Sequence, residues 1–154
     1  MTDYGLVLMS QIARRPQADL HTARDLAQKC GLPLPTVSKI LKTLLQSGLL
    51  ASHRGIKGGY SLARGAEVIS LAEIISALEG PLALTECSTD ITGLCDLEPS
   101  CPIKDNQRII NHVIRGALEK VMLSDLIRPM QLAAMHGAGA NLITTITPAS
   151  GRMQ

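Results

Sequence analysis

Apolar residues in the first half of this chain recur at helical spacing, and glycine, proline and small polar residues punctuate the runs. Leu6, Val7, Met9, Ile12 and Ala13 define a first helix, which Arg14, Arg15 and Pro16 close with cations at its negative pole. Thr22 is placed to N-cap a short helix, Ala23–Cys30, and Gly31 follows where a left-handed C-cap is wanted. Pro33 and Pro35 fit the entry to a third helix over residues 35–47, because proline is tolerated in a first turn. That helix turns Val37, Ile40, Leu41, Leu44 and Leu45 inward and presents Thr36, Ser38, Lys39, Lys42 and Thr43 on its other face. After Gly48 the period shortens and two strands are predicted, at residues 49–52 and 60–62. A fourth helix covers residues 70–79 and stops at Gly80-Pro81. The longest runs over residues 102–126, with Pro102 in its first turn and Pro129 beyond its end. Its apolar pairs, Ile109-Ile110, Val113-Ile114, Ala117-Leu118 and Val121-Met122, make a stripe wider than one neighbouring helix can cover.

Two short helices joined through a glycine turn, the second polar and basic outside, form a helix-turn-helix. The strands that follow enclose His53-Arg54-Gly55-Ile56-Lys57-Gly58-Gly59, where glycines permit a tight turn and Arg54 and Lys57 put charge at the tip. A glycine-rich hairpin alone is most often just a turn. Directly after a helix-turn-helix it reads as a wing, whose arginine can reach a phosphate or a narrow minor groove. The expected fold is mainly α with a small β wing. It comprises a winged helix-turn-helix DNA-binding domain (1–80), a cysteine-containing loop (81–101), a dimerisation helix (102–128) and a flexible tail (129–154). With Phe and Trp absent and only two Tyr among 154 residues, one aliphatic core is expected.

Charge sharpens the picture. Residues 1–64 carry nine Lys or Arg against three Asp, whereas residues 65–154 carry six basic against ten acidic side chains. A basic front half suits a polyanion partner, although a solvated surface would look similar on charge alone. No apolar stretch approaches the roughly 20 residues of a membrane span, and the first residues lack a basic, cleavable leader pattern. A cytoplasmic protein without a membrane partner is expected, and no nucleophile-base set or phosphate-binding loop suggests an enzyme.

In that compartment cysteines serve as thiols or metal ligands more often than as disulfides. Cys87, Cys95 and Cys101 are separated by seven and five residues, too wide for a zinc knuckle and one ligand short. The segment between Thr85 and Ser100 lacks periodicity and reads as a loop able to gather three soft sulfur donors. Ordinary thiols, a structural zinc site or a metal-free thiol switch remain alternatives. An iron-sulfur carrier would leave the basic wing unexplained. Cys30 ends a helix and reads as small core packing.

The wing and its approach, Leu49-Leu50-Ala51-Ser52 into Arg54-Gly55-Ile56-Lys57-Gly58-Gly59-Tyr60-Ser61-Leu62-Ala63, carry a resemblance. Together with Thr2-Asp3-Tyr4-Gly5, Ile69-Ser70-Leu71-Ala72-Glu73-Ile74 and the three cysteines, they resemble the IscR-type family of winged-helix regulators. The branch controlling the SUF iron-sulfur assembly system is the most similar, and the likeness covers about residues 2–128. It implies a homodimeric transcription factor, a repressor, whose Cys87, Cys95 and Cys101 ligate an iron-sulfur cluster, 2Fe-2S in preference to 4Fe-4S. A nitric-oxide-sensing or redox-sensing repressor of the same fold is the alternative.

Some relatives place a histidine soon after the third cysteine; here Pro102-Ile103-Lys104 stands there, and the next histidine is His112. In some members an acidic residue of the N-terminal motif completes the site from the partner subunit, and Asp3 matches that position. N-capping of the first helix is the competing role for Asp3. On this reading Thr36, Ser38, Lys39 and Lys42 enter the major groove of operator DNA. Arg54 and Lys57 meet the backbone or minor groove, and occupancy of the cysteine site shifts the spacing of the two recognition helices.

Overall fold

In the computed structural model, residues 1–14, 20–55, 58–85, 95–96 and 98–128 are described. In chain order they form α1 (Thr2–Ala13), α2 (Ala23–Cys30), α3 (Leu34–Gln46), β1 (Leu50–His53), β2 (Gly59–Leu62), α4 (Leu71–Glu79), α5 (Lys104–Glu119) and α6 (Leu123–Leu126). Short 3-10 turns occupy Ala66–Val68 and Glu98–Ser100. The architecture is mainly helical with a two-stranded antiparallel sheet, as the hydrophobic pattern predicts.

The first helix starts at Thr2, earlier than its apolar run marks, because a distant carboxylate caps it. Met1 offers no capping side chain, and Glu79 at the end of α4 accepts from the Thr2 amide and hydroxyl, both at 2.9 Å. The buried face of α1 is Gly5, Leu8, Met9 and Ile12, one stripe at three- and four-residue spacing. Val7 falls off that stripe and is 49 % exposed. Gly5 lets α1 close on α4: a Cβ there would collide with the Leu78 side chain.

The helix-turn-helix follows local chemistry closely. The Thr22 hydroxyl accepts from the Asp25 amide at 3.1 Å, and Gly31 ends α2 in the left-handed conformation, at φ 66°. Val37, Ile40, Leu41 and Leu44 of α3 are all inaccessible to solvent and meet Leu8, Met9, Ile12, Leu26 and Ile74 in one core. Leu45 is only half-buried.

The wing pairs Leu50 with Leu62, Ala51 with Ser61, Ser52 with Tyr60 and His53 with Gly59. A further bridge attaches it to the α1–α2 connection, where His21 and Tyr60 exchange amide-to-carbonyl bonds of 3.0 and 2.8 Å. Close approach explains Gly59, since a Cβ there would lie 2.8 Å from the His21 carbonyl oxygen.

The helix expected over residues 102–126 is shorter than its sequence pattern. It begins at Lys104, with Pro102 outside, and ends at Glu119. Residues 121–123 are instead drawn into extended pairing with the strand-like entry to α4. Leu71 N donates to the Val121 carbonyl at 2.7 Å and Leu123 N to the Ile69 carbonyl at 2.8 Å, with Ser70 and Met122 as the bridged pair. Leu123 then enters the core at 0 % exposure. Two tertiary hydrogen bonds and a buried leucine outweigh continued helix, and Val121-Met122 leave the apolar stripe.

Ser70 begins α4 through a complete capping box. Its hydroxyl accepts from the Glu73 amide at 3.2 Å, and the Glu73 carboxylate accepts from the Ser70 amide at 2.9 Å. Arg64 donates to the same carboxylate at 2.8 Å. The Arg64 hydrogen bond, then the Ser70 amide, hold the Glu73 carboxyl below the usual carboxylate range. A depressed folded-state pKa means that this stabilisation is present above the ordinary carboxylate value and is lost as pH falls through the folded-state value. Glu73→Ala should therefore cost about 1 kcal/mol at neutral pH. Urea unfolding should show the difference from the parent narrowing towards about pH 3.

Candidate nucleic-acid interface and cysteine segment

On α3, Ser38, Lys39 and Lys42 are exposed, opposite the buried Val37, Ile40, Leu41 and Leu44. Lys39 and Lys42 stand three residues apart and Ser38 and Lys42 four apart, so one side of the helix carries all three. Thr36 is half-buried near the helix start, just after Pro35, and contributes less reach than its neighbours. The Thr43 hydroxyl turns back to the Lys39 carbonyl at 3.2 Å instead of outward.

The wing projects from the same body, because β1 packs on α3 and Leu49 N donates to the Leu44 carbonyl at 3.0 Å. Arg54 follows β1 and is exposed, and Gly55 turns the chain at φ 115°. Gly58 N closes the turn on the Gly55 carbonyl at 2.9 Å, and a Cβ on Gly58 would strike the His53 carbonyl. Lys57 lies outside the described residues. Exposed cations of α3 and the wing thus share one rigid unit, with Arg24 and Lys29 of α2 also exposed.

Cys95 and Cys101 are half-buried free thiols. Cys87 lies outside the described residues. Both roots of the segment rest on α5. At its start, Asn111 accepts from the Leu84 amide and donates to the Leu82 carbonyl, both at 3.2 Å. At its end, Lys104 N approaches the Cys101 carbonyl at 3.4 Å. Asn111 was not among the residues the sequence singles out; its one signal is an amide at a position between apolar pairs.

Asp3 stands in the first turn of α1, its side chain 72 % exposed and 3.8 Å from the Met1 ammonium. It is not the N-cap, which is Met1. Among the described residues no three His, Cys, Asp or Glu side chains gather as a metal ion would require. Cys30 packs against the core, and burial pushes its thiol pKa up, as expected of a packing cysteine. His112 is exposed on α5.

The outer face of α5 is bare. Ile109, Ile110, Val113 and Ile114 are 61, 46, 39 and 39 % exposed, whereas Lys104, Gln107, Asn111, Gly116 and Leu118 are partly covered. Exposed apolar residues in adjacent turns are what a binding surface presents before its partner is in place. No helix among the described residues is long and apolar enough to cross a membrane.

Known proteins match this arrangement. A Mycobacterium tuberculosis protein provisionally named as the HTH-type transcriptional regulator Rv1287 is 34 % identical over 127 residues, covering 80 % of this chain and 76 % of its own. Bacillus subtilis CymR, described as the global cysteine regulator, superposes with a TM-score of 0.65 at 25 % identity, over 84 % of this chain and 95 % of its own. IscR of T. potens gives 0.64 at 25 % identity over 86 % of each. Residues 1–129 match the family described as Rrf2, iron-dependent transcriptional regulator. A winged helix-turn-helix with its cations outward, found in a chain so matched, belongs to a regulator and not to an enzyme: this protein is a member of the Rrf2 family of transcriptional regulators.

Proposed function

We propose that the protein is a homodimeric operator-binding repressor whose DNA affinity is set by an iron-sulfur cluster held on Cys87, Cys95 and Cys101. The observation that carries the DNA reading is the outward face of α3, with Ser38, Lys39 and Lys42 on the same rigid unit as wing residue Arg54. Thr36 and Lys57 extend that surface. Lys42 and Arg54 neutralise phosphates and fix register, while Thr36, Ser38 and Lys39 in the first half of α3 reach base edges. A twofold axis through the bare α5 face would bury Ile109, Ile110, Val113 and Ile114 and present two recognition helices to a pseudo-palindrome.

The donor set fits the cluster chemically. Three thiols in one segment, two of them free and half-buried, with both segment roots anchored on α5, suit soft iron ligation. The fourth ligand lies outside that set, and the exposed Asp3 of the partner subunit supplies an oxygen donor. A cluster with one oxygen ligand offers iron-thiolate bonding that oxidants and small diatomic molecules disturb. The chain's part is to hold the cysteines on α5, so that a change in the segment is felt at the dimer interface. Control of iron-sulfur assembly genes and a 2Fe-2S cluster are the finer parts of this reading.

The test is protein purified without oxygen, with visible spectrum and iron and sulfide assays on one sample. Operators selected from a random duplex pool are then titrated with holo and apo protein at fixed salt. Matching iron and sulfide, and affinities differing at least about tenfold, are expected for typical coupling free energies. Equal affinity of the two forms would defeat the sensing mechanism. A protein that stays colourless after reconstitution would point to zinc, or to a thiol switch of the kind that CymR's cysteine-related description makes relevant.

A further inference from the structure

The wing contains a group that the DNA-contact set above does not use. His53 is the last residue of β1, exposed, immediately before Arg54. Its Nε2 lies 3.0 Å from the hydroxyl of Ser61, a residue only 8 % exposed on the facing strand. His53 faces Gly59 in the register, and Ala51 faces Ser61, so the imidazole reaches diagonally across a glycine position to its partner. One ring nitrogen is thereby engaged by Ser61, which leaves Nδ1 as the nitrogen for a further partner.

We propose that His53 is a proton-linked DNA contact: protonated, it presents a second cation beside Arg54 to a backbone phosphate, so that DNA affinity rises as pH falls. The inference rests on the DNA-binding reading above. Ser61 is what makes the contact pre-set. A hydroxyl can donate to a neutral imidazole nitrogen or accept from a protonated one, so the ring keeps its place in both charge states. Histidine is the side-chain type whose charge changes near neutrality, and taking up one proton on binding makes affinity fall with rising pH.

On the hairpin the charged neighbours are Arg54 and Lys57, the latter outside the described residues, with Arg64 beyond β2 committed to Glu73 at 2.8 Å. Tyr60 and the buried His21 are the other titratable groups near the wing, and His21 is 2 % exposed and cannot reach a phosphate. Among the described residues no carboxylate forms an ion pair with His53.

The probe is a labelled mixed-sequence duplex of about 30 base pairs, long enough for two half-sites a helical turn apart. Binding to oxygen-free holoprotein is followed by anisotropy across a salt series at about pH 6 and about pH 8. The parent should bind about fivefold more tightly at the lower pH. Its log-log salt slope should steepen there by about 2 per dimer, one extra phosphate contact per protomer. His53→Gln, neutral but able to hydrogen-bond Ser61, should lose the pH difference. His53→Lys, charged throughout, should hold the tighter value at both pH values. A parent with the same affinity and slope at both pH values overturns the proposal, as does a His53→Gln variant with the parent's pH dependence. Salt-insensitive binding, or none at either pH, rejects the DNA reading itself and this inference with it.

Discussion

Replacing Ile110 and Ile114 together by glutamate is expected to give a folded monomer that has lost cooperative operator binding. Both side chains lie on the outer face of α5 and are substantially exposed within one chain, so the substitutions should change single-chain stability by no more than about 0.5 kcal/mol each. In a twofold dimer each would place carboxylates against apolar partners, at a cost of several kcal/mol when unpaired. Sedimentation should report the monomer mass while circular dichroism keeps the parent helix content. Operator affinity should fall about 10²- to 10⁴-fold as the second half-site loses its tethered partner. A double variant that sediments as a dimer would move the interface elsewhere. Unfolding of the variant would instead show that α5 is covered within its own chain, contrary to its exposure.

The second large effect concerns charge. Lys39→Ala, Lys42→Ala and Arg54→Ala combined remove three exposed cations per protomer, six per dimer. Each phosphate contact contributes about 0.9 to the slope of log affinity against log salt, so the slope should fall by about 5. At low salt the loss should reach about 10³-fold or more, and it should shrink as salt rises because the parent weakens faster. Of the three, a cation that reads a base edge will also relax sequence preference at one position, whereas one that meets only phosphate will weaken all sequences alike. Competition with mixed-sequence duplex separates these roles. A triple variant retaining the parent slope would show that the polyanion is bound on another face.

What could be read from the chain was whatever local chemistry decides. Thr22 and Gly31 cap α2 through groups within three or four residues, and each acts as its position predicts. The wing followed from glycines whose need is visible in the structure, at Gly55 by its φ and at Gly58 and Gly59 by backbone contact. The misreadings arise from partners far along the chain. Glu79 extends α1 to Thr2 across 77 residues, and Ile69 and Leu71 stop α5 by pairing with Val121 and Leu123. No window of sequence contains both members of those pairs. The outward cations of α3 were legible because a helix with one apolar face has only one other face to present. For the cysteine segment the sequence offers three candidate donors, but it does not show that Asn111 ties the segment to α5, nor which group would complete the set.

The pairing that ends α5 also makes it a lever with a fixed fulcrum. Its far end is bound to the winged body by two backbone hydrogen bonds and a fully buried Leu123, whereas its near end adjoins Cys101 and its middle, at Asn111, holds the other root of the cysteine segment. Sixteen helical residues make an arm of about 24 Å. A tilt of about 10° about the fulcrum sweeps the near end through about 4 Å, more than the roughly 3.4 Å rise of one base pair. On the proposed reading, two such arms crossing at a dimer axis would pass their tilt to both winged bodies at once, and a change of a few ångströms beside the cysteines would put the recognition helices out of phase with a DNA turn.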